Sequence, residues 1–162
     1  SFTDDERQRY ARHILLKEIG GPGQQRLKAA SVAIVGAGGL GAPAALYLAA
    51  AGVGRLRLIH DDTVSLDNLQ RQIIFRDADV GAPKVDRARA ALAALNDNVA
   101  VEIERQRLTE ANAAYLLQGA DVVLDGTDDF ETRFAVNAAA RSLGVPLVLA
   151  LLADGMGKSP HL

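Results

Sequence analysis

The sequence predicts an α/β protein built on a doubly wound, mostly parallel sheet. Two observations carry this reading. Five short apolar runs alternate with helix-type segments along the chain, and such alternation implies right-handed crossovers between parallel strands. The stretch GAGGLG, residues 36–41, joins the first run to the next helix, which is the strand–turn–helix setting of a phosphate-binding turn. The expected strand order is 3-2-1-4-5, a Rossmann-like arrangement, preceded by N-terminal helices.

The elements follow in order. DDERQRYARHILLKEI, residues 4–19, reads as one helix with Thr3 as N-cap and acidic residues in its first turn. GGPG, Gly20 to Gly23, marks its end, and a short helix is expected in QQRLKAA. SVAIV, residues 31–35, is a buried strand. After the glycine turn, APAALYLAAAG is helical and RLRLIH is the second strand. PKVDRARAALAALN is an amphipathic helix with Val85, Ala88, Leu92 and Leu95 on one face. VAVEIE alternates as a third strand, EANAAYLLQG is helical, and DVVLDGT is a fourth strand entering a loop. ETRFAVNAAARSLG is the last helix and PLVLALL the fifth strand.

In such a sheet, ligands bind beyond the carboxyl ends of the strands, at the switch between strands 1 and 4. The loops to search are GAGGLG, HDDTVSLDNLQRQ and DGTDDF.

Composition narrows the function classes. The 162 residues suffice for a real core, and 49% are hydrophobic. A net charge of −2 lacks the basic footprint of nucleic-acid binding. No apolar stretch reaches the length of a membrane span, and SFTDDERQRY has no apolar signal-peptide core. Neither nucleic acid nor membrane is an expected partner, and a cytoplasmic location is expected. Cysteine is absent, which excludes disulfides, thiolate catalysis and cysteine-ligated zinc within this chain.

Gly36, Gly38 and Gly41 satisfy G-x-G-x-x-G. Gly38 lets backbone approach a phosphate, Gly41 allows close helix–sheet contact, and the helix N-terminus faces the anion. The bland alternative is a tight turn without ligand. The motif fits NAD, FAD and ATP alike. GMGKS, residues 155–159, imitates a P-loop end, but the required first glycine position is Leu152.

The charges favour a polyphosphate. Asp61 lies twenty residues after Gly41, as a ribose-binding carboxylate would. Arg71, Lys84 and Arg12 supply more positive charge than a pyrophosphate diester requires. Thr127-Asp128-Asp129 places carboxylates at the mouth of strand 4. Carboxylates beside phosphate repel it unless a divalent cation intervenes, and Mg²⁺ uses one or two carboxylates plus phosphate oxygens. Cations around a polyphosphate plus a metal-binding Asp describe nucleotidyl or phosphoryl transfer. An NAD-dependent oxidoreductase is the competing class. Arg71 and Lys84 could also be solvated surface charges, Arg12 a surface ion pair, and Asp128 a helix cap.

RYARHI, VAIVGAGGLGAPAALYLAAAGVG, DDTVSLDNLQRQIIF, VGAPKVDRA and DVVLDGTDDFETRFAVN closely resemble the ThiF/MoeB adenylyltransferases, bacterial relatives of ubiquitin-activating enzymes. The resemblance covers about residues 3–150, and the combination of motifs in this order is specific. It implies an enzyme that uses MgATP to adenylate the C-terminal Gly-Gly carboxylate of a small ubiquitin-like sulfur-carrier protein, releasing pyrophosphate. Thiamin, molybdopterin and other sulfur pathways share these motifs. By resemblance, Gly36, Gly38, Gly39 and Gly41 line the ATP phosphates. Asn68 and Arg71 contact phosphates, Lys84 neutralises them during attack, and Asp128 holds Mg²⁺. Arg12 reaches the ATP site of a partner subunit, so a homodimer is implied. Gln70 and Gln72 are read as anchors of their loop.

Three departures stand out. His60 ends strand 2 where the family usually has a ribose-binding carboxylate, and imidazole cannot accept two hydroxyl hydrogen bonds; either Asp61 substitutes from a shifted backbone or ribose binding is weakened. The segment after strand 5 is more apolar than in the family. Longer members also carry Cys-x-x-Cys zinc pairs and a carrier-docking sheet, for which this chain has no ligands or residues. The expected organisation is an N-terminal helical arm (1–30), an ATP-binding Rossmann-like part (31–150) and a truncated or divergent tail (151–162). The alternative function is a truncated, non-catalytic nucleotide-binding or dimerisation module of the same family.

Overall fold

The computed structural model describes residues 1–150; the expected tail and GMGKS lie outside them. Strand β1 (Ser31–Val35) runs through the middle of a five-stranded sheet. It is flanked by β2 (Arg55–Ile59) and β4 (Val122–Asp125), with β3 (Ala100–Glu104) and β5 (Leu147–Leu149) outermost. The order is 3-2-1-4-5 and every pairing is parallel. Val35 is in register with Ile59 and Asp125, so the central strands finish together.

Both faces are covered, which is why VAIV of β1 and VVL of β4 read as continuous apolar runs. Ile34, Leu56 and Leu58 face helices α4 (Gly41–Ala51) and α5 (Lys84–Leu95), packing with Ala45, Ala49, Val85, Ala88 and Leu92. Ala33, Val35, Ile59 and Val123 face the other way, onto α6 (Ala113–Leu117) and α7 (Phe130–Leu143). The alanines of α4 allow the helix to lie close to β1. Both α4 and α7 end on a left-handed glycine, Gly52 at φ 93° and Gly144 at φ 70°. Leu95, expected on the buried face of α5, is 40% exposed at the last turn.

The N-terminal region departs from the sequence reading. One helix is expected over residues 4–19 and two are found, α1 (Asp4–Arg9) and α2 (Ala11–Leu15); the short helix expected in QQRLKAA is present as part of a longer α3 (Gly20–Ala29). GGPG opens α3 instead of ending a helix. A proline in a first turn is tolerated because its missing N–H would have had no intrahelical partner there. The Thr3 cap is present as a capping box: Thr3 Oγ1 accepts from Glu6 N–H at 3.1 Å, and Glu6 Oε1 accepts from Thr3 N–H at 3.0 Å. Lys28 of α3 bonds the same Glu6 oxygen at 3.0 Å, tying the arm together. Tyr10, Gln24 and Asn96 then anchor it below α4: Gln24 donates to Ala51 O, and Asn96 donates to Tyr10 Oη and Ala49 O.

Among the described residues, no helix is long and apolar enough to cross a membrane.

Candidate functional site

A cleft of about 900 Å³ opens over the carboxyl ends of β1, β2 and β4. Its floor is the glycine loop. Gly36 leaves β1 at φ 90°, a left-handed conformation that favours glycine, with its N–H bonded to Ile59 O at 2.8 Å. Gly38 and Gly39 face the cleft. Gly41, the first residue of α4, stands behind them, outside the lining: a Cβ there would lie 1.7 Å from Gly36 O. Gly126 closes the same contact from the β4 side, its hypothetical Cβ 2.9 Å from Gly41 N. The loops after β1 and β4 therefore meet backbone to backbone.

One wall comes from the long connection after β2. Buried Val64, Ile74 and Phe75 fasten this segment to the core, and two short 3-10 helices, Leu66–Asn68 and Asp77–Asp79, shape it. Asn68 is buried, and its Oδ1 accepts from Ser65 N–H and Oγ–H, both at 2.9 Å. That leaves its amide N–H groups for other acceptors. Arg71 lines the cleft, held by a bond from its guanidinium to Asp67 O at 3.0 Å, and has no carboxylate partner among the described residues. Gln72 is buried beside Gly38, and its Oε1 lacks a partner among the described residues.

Lys84 is the first residue of α5 and only 3% exposed. Its backbone N–H bonds Asp62 O at 2.9 Å, and its ammonium lies 3.4 Å from Asp62 Oδ2. A buried cation at a helix N-terminus opposes the helix dipole, and exposed Asp62 is its one carboxylate partner among the described residues. Asp61 lines the cleft and is exposed.

The opposite wall separates the two carboxylates of Thr127-Asp128-Asp129. Asp129 caps α7: its Oδ2 accepts from Thr132 N–H at 3.1 Å and Thr132 Oγ1–H at 2.5 Å, and Arg107 adds a 2.7 Å ion pair. The Thr132 hydroxyl and amide, then Arg107, hold its carboxyl below the usual carboxylate value. Asp128 is exposed, lines the cleft and has no side-chain partner among the described residues. The capping role considered for Asp128 thus belongs to Asp129. Beneath them, Asp125 is fully buried; its Oδ1 accepts from Thr127 N–H and Oγ1–H, at 2.9 and 2.6 Å.

The fold thus gathers Gly36, Gly38, Gly39, Asp61, Asn68, Arg71, Lys84 and Asp128 around one cleft. Arg12, on α2, is exposed and lies outside this lining. Arg107 and Arg133 line the cleft unanticipated by the sequence reading. Arg107 follows β3, a strand end that lay outside the loops singled out. Arg133 donates to Thr127 O at 2.8 and 2.6 Å, fixing the loop that carries Asp128.

Residues 10–159 match the ThiF family. The chain belongs to the ThiF family. Its relatives within that family include the SAMP-activating enzyme E1 of Haloferax volcanii, 49% identical over 140 residues, covering 86% of this chain and 52% of the relative. The sulfur carrier protein adenylyltransferase of Thermus thermophilus is 48% identical over 151 residues, covering 93% and 56%. Among solved structures, the E. coli tRNA N6-threonylcarbamoyladenosine dehydratase TcdA in complex with ATP superposes with a TM-score of 0.86 at 30% identity, over 92% of this chain and 61% of TcdA. The chain spans about half the length of these curated ThiF-family relatives.

Proposed function

We propose that the cleft binds MgATP and adenylates the C-terminal glycine carboxylate of a small ubiquitin-like sulfur-carrier protein. One observation carries the reading: a phosphate-type glycine loop, two cations (Arg71, without a carboxylate partner among the described residues, and Lys84, paired among them only with exposed Asp62) and a carboxylate free of partners among the described residues (Asp128) face the same cleft. The names of the relatives, an E1 and a sulfur carrier protein adenylyltransferase, agree with it.

In this reaction a carrier carboxylate oxygen attacks the α-phosphorus of ATP. The bond from that phosphorus to the bridging oxygen of pyrophosphate breaks, and an acyl-adenylate forms. The nucleophile is already an anion, so no general base is needed; the protein aligns the reactants and neutralises charge. Gly38 and Gly39 present backbone to the phosphates, Gly36 makes the turn and Gly41 the close packing of the loop that does so, and Asn68 donates its amide. Arg71 and Lys84 offset the charge growing on departing pyrophosphate. Asp61 is placed to accept from a ribose hydroxyl.

Among the described residues, no three acidic or histidine groups cluster to hold a metal. Asp128, without a partner among the described residues, fits Mg²⁺ that arrives with ATP, since Mg²⁺ takes one or two carboxylates and completes its shell with phosphate oxygens and water. Asp128 would hold it, and the ion would supply charge neutralisation at the phosphates. Arg12 is assigned to the cleft of a second copy, which makes the working unit a homodimer, and the proposed location is the cytoplasm.

ATP–pyrophosphate exchange tests the proposal. A Gly-Gly-ending carrier should stimulate exchange, and the same carrier lacking its terminal glycine should not. MgATP binding without carrier-stimulated exchange would instead favour a non-catalytic nucleotide-binding module. Absence of MgATP binding at millimolar concentration would remove the nucleotide reading altogether.

A further inference from the structure

His60, directly after β2, makes a contact that fixes its chemistry. The Ala37 N–H of the glycine loop donates to His60 Nδ1 across 2.8 Å. A backbone N–H can only donate, so this nitrogen carries no proton and the neutral ring holds its hydrogen on Nε2. The backbone of His60 is fixed from the other side, its N–H bonding Glu104 O at 3.1 Å. The ring forms part of the cleft lining, and Nε2 has no partner among the described residues. The only acceptor nitrogen of the ring is therefore spent on the glycine loop. A carboxylate here would have a second oxygen left for a ribose hydroxyl.

Resting on the nucleotide reading above, we infer that His60 is a positioning residue: in its Nε2–H form it ties the glycine loop to the end of β2 and offers the nucleotide one donor, so that nucleotide affinity depends on the ring staying neutral. Protonation would set an Nδ1–H against the Ala37 N–H, two donors face to face, and free the loop that presents backbone to phosphate.

The surroundings favour the neutral ring. Burial first, and the Lys84 charge second, push the His60 pKa below its ordinary 6.5; Asp62 and Asp61 pull it up, and Arg107 pushes it down again. Glu104, on the neighbouring strand end, turns its carboxylate to Gln106 at 3.0 Å. A positive ring would also attract phosphate. That attraction only adds to four cations already lining the cleft, Arg71, Lys84, Arg107 and Arg133, whereas the Ala37 bond is a direct contact with the loop itself, so loss of the bond dominates.

Two measurements test this. The imidazole proton–nitrogen correlation spectrum of the wild-type protein should show Nδ1 bare and Nε2 protonated near neutral pH. Calorimetric titration with MgATP between about pH 5.5 and 8 should then compare wild type with His60→Asn. The asparagine oxygen can take the place of Nδ1 but cannot titrate, and changes in ATP protonation cancel between the two proteins. The wild-type affinity relative to the variant should be level above pH 6.5 and fall below the ring pKa, approaching about tenfold per pH unit, the limit for one proton. A proton on Nδ1, parallel profiles, or wild-type binding that tightens on acidification relative to the variant each overturn the inference. The spectrum alone decides the loop tie if the variant does not fold. A bare Nδ1 with no MgATP binding at any pH would instead sink the nucleotide reading and the affinity claim with it, leaving only the tie.

Discussion

Aspartates 128 and 129 are chemically identical neighbours with different tasks. Asp129 is saturated by Thr132 and Arg107, so it is bound into the scaffold. Asp128 projects into the cleft without a partner among the described residues. Asp128→Ala should therefore leave the Tm unchanged and abolish magnesium-dependent pyrophosphate release, whereas Asp129→Ala should lower the Tm through loss of the α7 cap. Equal effects of the two on Tm and on turnover would contradict the division. His60→Asp is a second residue-scale case. A carboxylate can take the Ala37 N–H on one oxygen and a ribose hydroxyl on the other, so ATP should bind about tenfold more tightly, the worth of roughly one hydrogen bond. Unchanged affinity in calorimetry would mean that Asp61 already takes both ribose hydroxyls and leaves none for residue 60. The motif reading of Asn68, Arg71, Lys84 and Asp128 brought together residues that do meet. It was blind to the partner of His60, because which atom a histidine bonds depends on a loop 23 positions away in the chain.

At the scale of elements, the strands were legible for a physical reason. A parallel strand covered on both faces is apolar throughout, and SVAIV and DVVL stand out from their surroundings. The N-terminal arm was not, because charged residues at helical spacing do not say where a helix breaks, and GGPG suits a helix start as well as a stop. The arm nevertheless has a testable weak point. Thr3→Ala removes one half of the capping box and should cost about 1 kcal/mol in denaturant unfolding. The Thr3 N–H, followed by Lys28, holds the Glu6 carboxyl below its ordinary 4.5. A carboxyl with a lowered folded pKa stabilises above its ordinary value, and that contribution is lost as pH falls through the folded one. The wild-type advantage over Glu6→Gln should thus be full above pH 4.5 and shrink below it; an advantage independent of pH would show that packing, not charge, is what Glu6 contributes.

Across the whole molecule, the strand order places the switch between β1 and β4 under the cleft, so topology alone points to this end of the sheet before any side chain is considered. What topology could not supply is the second copy. If Arg12 works in the cleft of a partner, Arg12→Ala and Lys84→Ala proteins, each inactive, should complement on mixing. Half the dimers would be mixed and each would hold one intact site, restoring about a quarter of wild-type exchange activity. No recovery in a mixture shown to exchange subunits would place Arg12 outside the reaction.

The glycine-to-glycine contact among Gly36, Gly41 and Gly126 sets a limit on how this site can change. With backbone against backbone at Gly41 and Gly126, and only the Thr127 methyl against Gly36, there is little side chain to trim or swap between the glycine loop and the loop bearing Asp128. The two behave as one casting, and the spacing between the glycine loop and Asp128 has little that can be adjusted. New nucleotide preferences, in nature or in the laboratory, would have to arise on the rim, at Asp61, Arg71 or Arg107, where side chains are replaceable and the casting is left whole.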